Sequence, residues 1–580
     1  MLKFQPGTRL ILALMAALLL LGLTASMAME PQKGPKTADL IFYNGKIITL
    51  DAADSTVQAL AVKDGKILQT GPDKEIKKLA GKSTKLMDLK GLTVVPGLID
   101  AHCHPMETIM LKEGWVDARY PACPSVKQAL ANITEWAKKT PKGEWIFVAC
   151  VSASENKFTE KRLPNKAELD AAAPNNPVIL ADGAHMAVVN SQALQKLGIT
   201  KGITKLKGGG RAILDKNGMP NGTLTDAMGA VPDTPSVKDL ERYYSKDIQS
   251  LWNQYGFTSL LAITPAPALP VLQALADKTQ PSIRYTVSVW TAPNGEGMPA
   301  KLDKFRMPKD ADPNWYRLGG IKAWVDGEND CRTGYMYEQY VGHFDTDPPG
   351  NKGTLVTPLP QAEHLAAVAD QNKVMCMLHC SGDRAMDIGL SAYESRIKAG
   401  KPAGIKRMEH FGMFQMTDEQ LNRAKKMIPQ GFKVSVQPIW LLELVKADYE
   451  NMGEKRAATG FRFRSMIDAG LEPAAGTDIT GIYLANIDPF KAIYAMVTRN
   501  SDKGIFEPQE AVTVKEALKM WTIWAAKSMG EEKLKGSLEK GKFADLAVLS
   551  DNILTLPKEK LNQVKVLKTI VGGKVVYQAK

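Results

Sequence analysis

Apolar and polar positions change rhythm along this chain. Near the start, the runs ADLIFY and KIITL at 38–50, then ALAVK and KILQTG at 59–71, alternate with the short period of half-buried β-strands. Asn44-Gly45 and Asp64-Gly65 stand between these runs and predict hairpins, because both pairs accept the left-handed backbone of a two-residue turn. The far end reads the same way: ADLAVLS at 544–550, then VLKTIVGGKVVYQ at 566–578 with Gly572-Gly573 at the turn. Chain termini tend to lie close together, so two β-rich ends predict one small β-sandwich built from 38–93 and 536–580.

Between them, over 94–535, short apolar runs alternate with stretches of helical period, the pattern of parallel βα units. Eight runs read as strands: LTVVPGLIDAH, FTSLLAIT, IRYTVSVW, YRLGGIKAWVDG, KVMCMLHC, IKRMEH, KVSVQP and EPAAGTD. Eight is the number that closes a (β/α)8 barrel. The expected fold class is therefore α/β, a TIM barrel carrying the sandwich of the two termini. A large insertion, about 106–247, separates the first run from the second. It holds strand-like EWIFVAC and NPVILADG, and a Gly-rich hairpin around KGGGRAILDKNGMPNG. An insertion at that point sits on a βα loop at the barrel's catalytic mouth, so a lid or substrate subdomain is expected.

The first residues follow neither rhythm. Lys3 and Arg9 precede an apolar run from Leu10 to Leu23, and the small residues of TASMA follow. That is the layout of a secretory signal peptide, 1–28, cut after Ala28. An uncleaved anchor is the alternative, although the run is short of the roughly 20 apolar residues of a membrane span. Export is expected, periplasmic or secreted, with no stable membrane insertion after cleavage. The remaining composition, 44% hydrophobic and 23% charged, is that of an ordinary globular protein. The net charge of +12 comes from scattered lysines such as Lys74, Lys77 and Lys78. No basic stripe interleaves with aromatics, so no nucleic-acid partner is expected. A homo-oligomer is compatible with this surface. Six cysteines do not make a disulfide framework in a chain of 580 residues. Cys103, Cys376 and Cys380 read as buried thiols within apolar runs, while a Cys123–Cys150 pair stays open.

Histidine is scarce, seven in all, yet His102 and His104 fall two apart at the end of the first barrel run. On a strand, residues i and i+2 face the same way about 6.6 Å apart. Both imidazoles can then enter the barrel mouth while Cys103 turns into the packing layer. Lys322 lies on the fourth run, His379 ends the fifth, His410 the sixth and Asp478 the eighth. Side chains from different strands converge at that rim of a barrel. One histidine at a strand end is ordinary packing. Four with an aspartate on one rim predict zinc or a similar divalent metal. His364, in helical PQAEHLAAVADQ, and His343, in a loop, read as surface residues. For His185 in DGAHMAVVN, a substrate contact and a structural role both stand.

PGLIDAHCHP, HCSGDRA, RMEHFGM, AAGTD and GSLEKGKFADLAVL resemble motifs of the amidohydrolase superfamily. GGIKAWVDG, NNPVILADGAHMAVVNSQAL and GDRAMD are similar to its amidohydrolase-3, or YtcJ-like, branch. The resemblance runs in order from about Ala38 to about Tyr577. It implies an enzyme that hydrolyses a carbon–nitrogen bond of a small-molecule amide or cyclic amide, other than a peptide bond. It also implies two zinc ions per chain. His102, His104 and Asp478 would hold the more buried ion and His379 and His410 the other. A carbamylated Lys322 would bridge them, since an unmodified ammonium repels cations. Two such ions polarise a carbonyl and lower the pKa of a bridging water. Asp478 would take that water's proton and pass it to the leaving amine. Asp326 in VDG and Asp383 in GDRA match motif positions near the ligands or the substrate. An ordinary interior lysine at 322, with a single ion, is the alternative.

Two stretches depart from the family pattern: VACVSASE early in the insertion, and Glu328 to Cys331 after the fourth run. Substrates of relatives therefore do not transfer. Ester or N-acyl amino acid hydrolysis stays open, with Arg332 and Arg384 as candidates to bind a substrate carboxylate. So does a sensory or regulatory protein that keeps the fold without turnover.

Overall fold

The computed structural model describes residues 37–105, 114–183, 185–206, 210–227, 251–264, 281–290, 312–342, 344, 347–400, 404–479 and 487–580. The expected signal peptide and His343 lie outside the described residues. The chain opens with β1 (Ala38–Tyr43), β2 (Lys46–Ile48), β3 (Thr56–Val57), β4 (Ala59–Lys63), β5 (Lys66–Gly71), β6 (Ala80–Asp88) and β7 (Thr93–Pro96). A four-stranded sheet takes the order β5-β4-β1-β6. Asp64 (φ 51°) and Gly65 (φ 72°) make the expected hairpin between β4 and β5.

Asn44-Gly45 behaves differently from the expected hairpin. Asn44 is left-handed (φ 56°), yet β1 and β2 lie in separate sheets. β1 is already paired on both edges, antiparallel to β4 and parallel to β6, so β2 has no edge to fill and crosses to the second sheet. A left-handed dipeptide permits reversal but does not choose the partner.

Gly97 marks the passage from β7 into β8 (Leu98–Cys103), and a Cβ on it would lie 2.2 Å from Thr258 Oγ1. The insertion follows with β9 (Val116–Asp117), β10 (Ile146–Cys150), β11 (Val178–Asp182), β12 (Met186–Val189), β13 (Arg211–Leu214) and β14 (Pro220–Thr225). These form a six-stranded sheet, β13-β14-β12-β11-β10-β9, with a core of its own that includes Val148, Phe158, Leu180 and Val188.

The barrel resumes with β15 (Phe257–Thr264), β16 (Arg284–Trp290), β17 (Tyr316–Trp324), β18 (Met375–His379), β19 (Lys406–Glu409), β20 (Phe432–Val436) and β21 (Ala474–Ala475). With β8 they make an eight-stranded sheet in chain order, every neighbouring pair parallel. Asp478 N donates to His102 O at 2.7 Å and His104 N to Ile479 O at 3.0 Å, which brings the last strand round to the first. β8 and β15 are buried at every position, as expected of parallel strands covered on both faces. Helices α1 (Leu359–Asn372), α2 (Asp383–Lys398) and α3 (Asp418–Met427) follow β17, β18 and β19. The start of α3 is set by a reciprocal cap between Thr417 and Gln420.

β22 (Leu546–Leu549), β23 (Val566–Val571) and β24 (Lys574–Gln578) end the chain. They join the N-terminal strands in one sheet, β24-β23-β22-β7-β2-β3. Phe42, Leu60 and Val62 from the first sheet meet Ile47, Val94, Leu546, Val548 and Ile570 from this one in a single buried cluster. All six cysteines are free and buried, so Cys123 and Cys150 form no disulfide. No helix among the described residues is long and apolar enough to cross a membrane.

Candidate metal centre

Three buried imidazoles are each oriented by an oxygen acceptor. His102, on β8, donates from Nδ1 to Glu409 Oε2 at 2.5 Å. His410, just past β19, donates from Nδ1 to Gln437 Oε1 at 2.8 Å and stacks on Trp440. His185, in the turn between β11 and β12, donates from Nδ1 to Asp226 Oδ1 at 2.8 Å. An acceptor at Nδ1 places the proton there and leaves Nε2 with its lone pair, the arrangement of histidines that ligate metals.

The Nε2 atoms of His102 and His410 converge with that of His104 on Asp478. Asp478 Oδ1 lies 3.2 Å from His102 Nε2 and 3.1 Å from His104 Nε2, and Asp478 Oδ2 lies 3.9 Å from His410 Nε2. His102 and His104 thus share a face, while Cys103 Sγ points away to Leu261 O at 3.5 Å. Lys322 Nζ is 2.9 Å from His102 Nε2. The ligand atoms of His102, His410 and Asp478 all lie within 4.8 Å of one another. Those of His185, Glu328 and His379 form a second such group. The rings of His379 and His410, 4.3 Å apart, join the two groups.

The electrostatics keep Asp478, His379 and His410 in ligand form, whereas burial, with Asp330 and Asp478 adding to it, pushes the Glu328 carboxyl well above the carboxylate range. Burial alone would raise the Asp478 carboxyl, but the imidazoles of His102, His104 and His410 hold it well below the carboxylate range. Burial drops His379 well below the usual imidazole value, reinforced by His410, His185 and Lys322. Burial does the same to His410, with His102 and Lys322 adding to it. Neutral imidazole and ionised carboxylate are the forms that bind metal. Burial also lowers Lys322, against the pull of Asp478, Glu409 and Glu328. Glu409 would likewise be raised by burial, but Arg407, whose Nη2 donates to Oε2 at 3.0 Å, and His102 keep it low.

His379 Nδ1 and His410 Nε2 are buried without a hydrogen-bond partner among the described residues. Leaving such atoms unsatisfied is unfavourable, and a divalent cation satisfies nitrogen and carboxylate donors together. The residues fit such an ion. His410 (φ 60°) and Asp478 (φ 49°) also hold left-handed backbone, which concentrates where function requires it.

The other predicted residues fall at varying distances from this centre. Asp326 Oδ1 is 4.0 Å from His379 Nε2, and its carboxylate accepts from the backbone N–H groups of Tyr335, Ser381 and Gly382. It pins the loop after β18 beneath His379. Asp383 accepts from Tyr337 N and Arg384 N at the start of α2. Arg384 is exposed, its guanidinium 4.6 Å from the Tyr335 ring and 5.6 Å from the Tyr337 ring. Asp383 thus caps the first turn of α2, and Arg384 packs on two tyrosine rings. Arg332 is buried and paired with Glu155 and Asp347. His364 is exposed on α1, as expected.

Glu409, Gln437 and Asp100 were not anticipated. Asp100 accepts from Thr477 N at 2.9 Å, Thr477 Oγ1 at 2.6 Å and Trp252 Nε1 at 3.0 Å, tying β8 to the segment after β21. The available signal was alternation: Asp100 stands two before His102 on β8, and Arg407 two before Glu409 on β19. A separate cavity of about 640 Å³ lies between the β13–β14 hairpin and the segment after β17, lined by Arg211, Thr225, Cys331, Thr333 and Thr354. None of the clustered histidines lines it.

A parallel barrel with histidines and an aspartate gathered at the carboxyl ends of its strands defines a metal-dependent hydrolase. The chain belongs to the amidohydrolase family, whose sequence model matches residues 85–577. It is similar to an N-substituted formamide deformylase from Arthrobacter pascens, 28% identical over 93% of this chain and 98% of that one. Protein LONG AFTER FAR-RED 3 of Arabidopsis thaliana is also 28% identical, over 93% of this chain and 92% of its own. An uncharacterized metal-dependent hydrolase from Pyrococcus horikoshii shares the fold with a TM-score of 0.66 at 24% identity. That match covers 90% of this chain and 99% of that one.

Proposed function

We propose that this chain hydrolyses the carbon–nitrogen bond of a small-molecule amide or cyclic amide, other than a peptide, at a centre of two divalent ions. Zinc suits the nitrogen and carboxylate donors. The observation that carries this reading is the buried convergence of His102, His104 and His410 on Asp478. Similarity to an N-substituted formamide deformylase supports the class of bond. Divalent ions held here would polarise the substrate carbonyl and bring the pKa of water towards neutrality.

The chain's own groups do the rest. Asp478, kept ionised by the surrounding imidazoles, takes a proton from the attacking water at a carboxylate oxygen and delivers it to the leaving nitrogen. Burial favours the neutral amine of Lys322, the form that adds carbon dioxide. On gaining CO2 and releasing one proton, the amine would become a carbamate, an anionic oxygen donor suited to hold divalent ions beside His102. Trp290, whose ring lies 5.4 Å from that of His104, and Trp324, 4.7 Å from Trp290, are half-buried and form an apolar wall for the substrate. Arg332 is committed to Glu155 and Asp347 and Arg384 is at the surface, so neither supports a substrate carboxylate. The N-terminal pattern supports a working place outside the cytoplasm, with a mature chain beginning at Met29.

Protein purified without added metal is expected to carry zinc by mass spectrometry and to turn over members of an N-substituted amide panel. His102→Ala should lose metal, and Asp478→Asn should lose about 10²–10⁴-fold in kcat/KM while keeping its circular dichroism. Equal turnover by the parent and both variants would sink the proposal.

A further inference from the structure

The β11–β12 turn of the insertion brings His185 against the barrel, beside His379. We propose that His185, Glu328 and His379 together hold the second divalent ion. This rests on the two-ion reading above, but gives that ion ligands that the family pattern does not assign. Each of the three comes from a different part of the fold. His379 ends β18, Glu328 lies in the segment after β17, and His185 comes from the β11–β12 turn of the insertion. All three are buried, and their ligand atoms lie within 4.8 Å of one another.

Several independent features serve this group. The rings of His185 and His379 are 5.1 Å apart. Asp226 holds His185 twice, by accepting from Nδ1 and by donating its own backbone N–H to His185 O at 2.8 Å. That leaves Nε2 of His185 as the ligand atom. Gly327 lets the insertion approach, since a Cβ there would lie 2.6 Å from Asp226 Oδ1 and 2.1 Å from Thr333 Oγ1. Thr333 Oγ1 accepts from Glu328 N at 2.9 Å and fixes the backbone that carries the carboxylate. His379 Nδ1 is buried with no hydrogen-bond partner among the described residues.

Two histidines and a glutamate are an established three-ligand set for hydrolytic zinc, with a position left open. An ion bound there would displace the carboxyl proton of Glu328 and take an anionic oxygen from it without any modification of Lys322. The second position also adjoins the first, because His379 and His410 are in ring contact at 4.3 Å. An ion there would bind the inserted sheet to the barrel.

The test is metal content of the full-length protein after dialysis, by plasma mass spectrometry, with hydrogen exchange over residues 178–189 as a second readout. The parent is expected to carry two zinc ions per chain, and Glu328→Gln and His185→Asn one each. Asp226→Asn, which keeps all three ligands, should bind the second ion about 10–100-fold more weakly. Chelation should raise exchange over 178–189 in the parent, and restored zinc should reverse this in the parent but not in Glu328→Gln. A parent with two ions and variants that keep both would overturn this assignment and leave the proposed function standing. So would a parent with one ion that the variants retain. A parent that binds none would overturn both.

Discussion

His102 is held from both sides of its ring. Glu409 grips Nδ1 at 2.5 Å, while Nε2 faces Asp478 at 3.2 Å and Lys322 at 2.9 Å. The carboxylate on Nδ1 raises the basicity of the ring and fixes its orientation, so its loss should be felt in metal affinity. Glu409→Gln is expected to weaken zinc binding about 10–100-fold in a chelator competition, with KM little changed once zinc is saturating. A second residue-scale prediction concerns Asp182, at the end of β11. Burial, with Glu155 adding to it, pushes its carboxyl up to about 8 from an ordinary value of 3.8. The folded state thus holds this proton more tightly than the unfolded state does. The stability involved is complete below the unfolded value and is lost as pH rises towards about 8. Asp182→Asn removes that loss, so Tm should fall less between pH 5 and pH 8 than in the parent, and parallel curves would refute the account. The clustering of His102, His104, His379, His410 and Asp478 was legible because a strand end fixes where its side chain goes. Glu409 and Glu328 were not, because a polar group's role there depends on which distant ring it meets, and neighbouring sequence does not state that.

Among the elements, the segment after β21 packs closely against β8. A Cβ on Gly476 would lie 2.6 Å from both the backbone N and the Cβ of His102. Gly476→Ala must therefore push β8 aside at His102, one of the clustered imidazoles. It is expected to destabilise the fold by about 1–3 kcal/mol and to lower zinc content, measured by denaturant unfolding and metal analysis. All eight barrel strands could be read in advance, since parallel strands covered on both faces leave continuous apolar runs. Even β21, two residues long, stood out through its turn residues and Asp478. The corner at Asn44 could not be read, because its backbone geometry suits a hairpin and only the occupied edges of β1 rule one out.

On the scale of the whole molecule, the terminal sheets are fastened to the barrel by a buried pair. Arg284, the first residue of β16, donates from Nε to Asp545 Oδ2 at 2.8 Å and from Nη2 to Oδ1 at 3.0 Å. Its guanidinium also lies over Phe543 at 3.7 Å and Trp315 at 4.4 Å. Removing one member of a buried pair strands the other, so Arg284→Ala should cost about 3–5 kcal/mol in chemical unfolding. Zinc content of the protein that remains folded should be unchanged. The joining of the two termini was foreseeable from their matching strand patterns, but this pair was not, since 261 residues separate its members. The order of assembly follows from the sheet they share. β22 pairs with β7 across Leu546 and Pro96, so a strand made near the start of synthesis waits for one made near its end. Until then β7 presents an open edge on that side, and an edge of unpaired backbone groups invites other chains. A message cut short before codon 546 therefore yields a chain prone to aggregate, even with every metal ligand already in place.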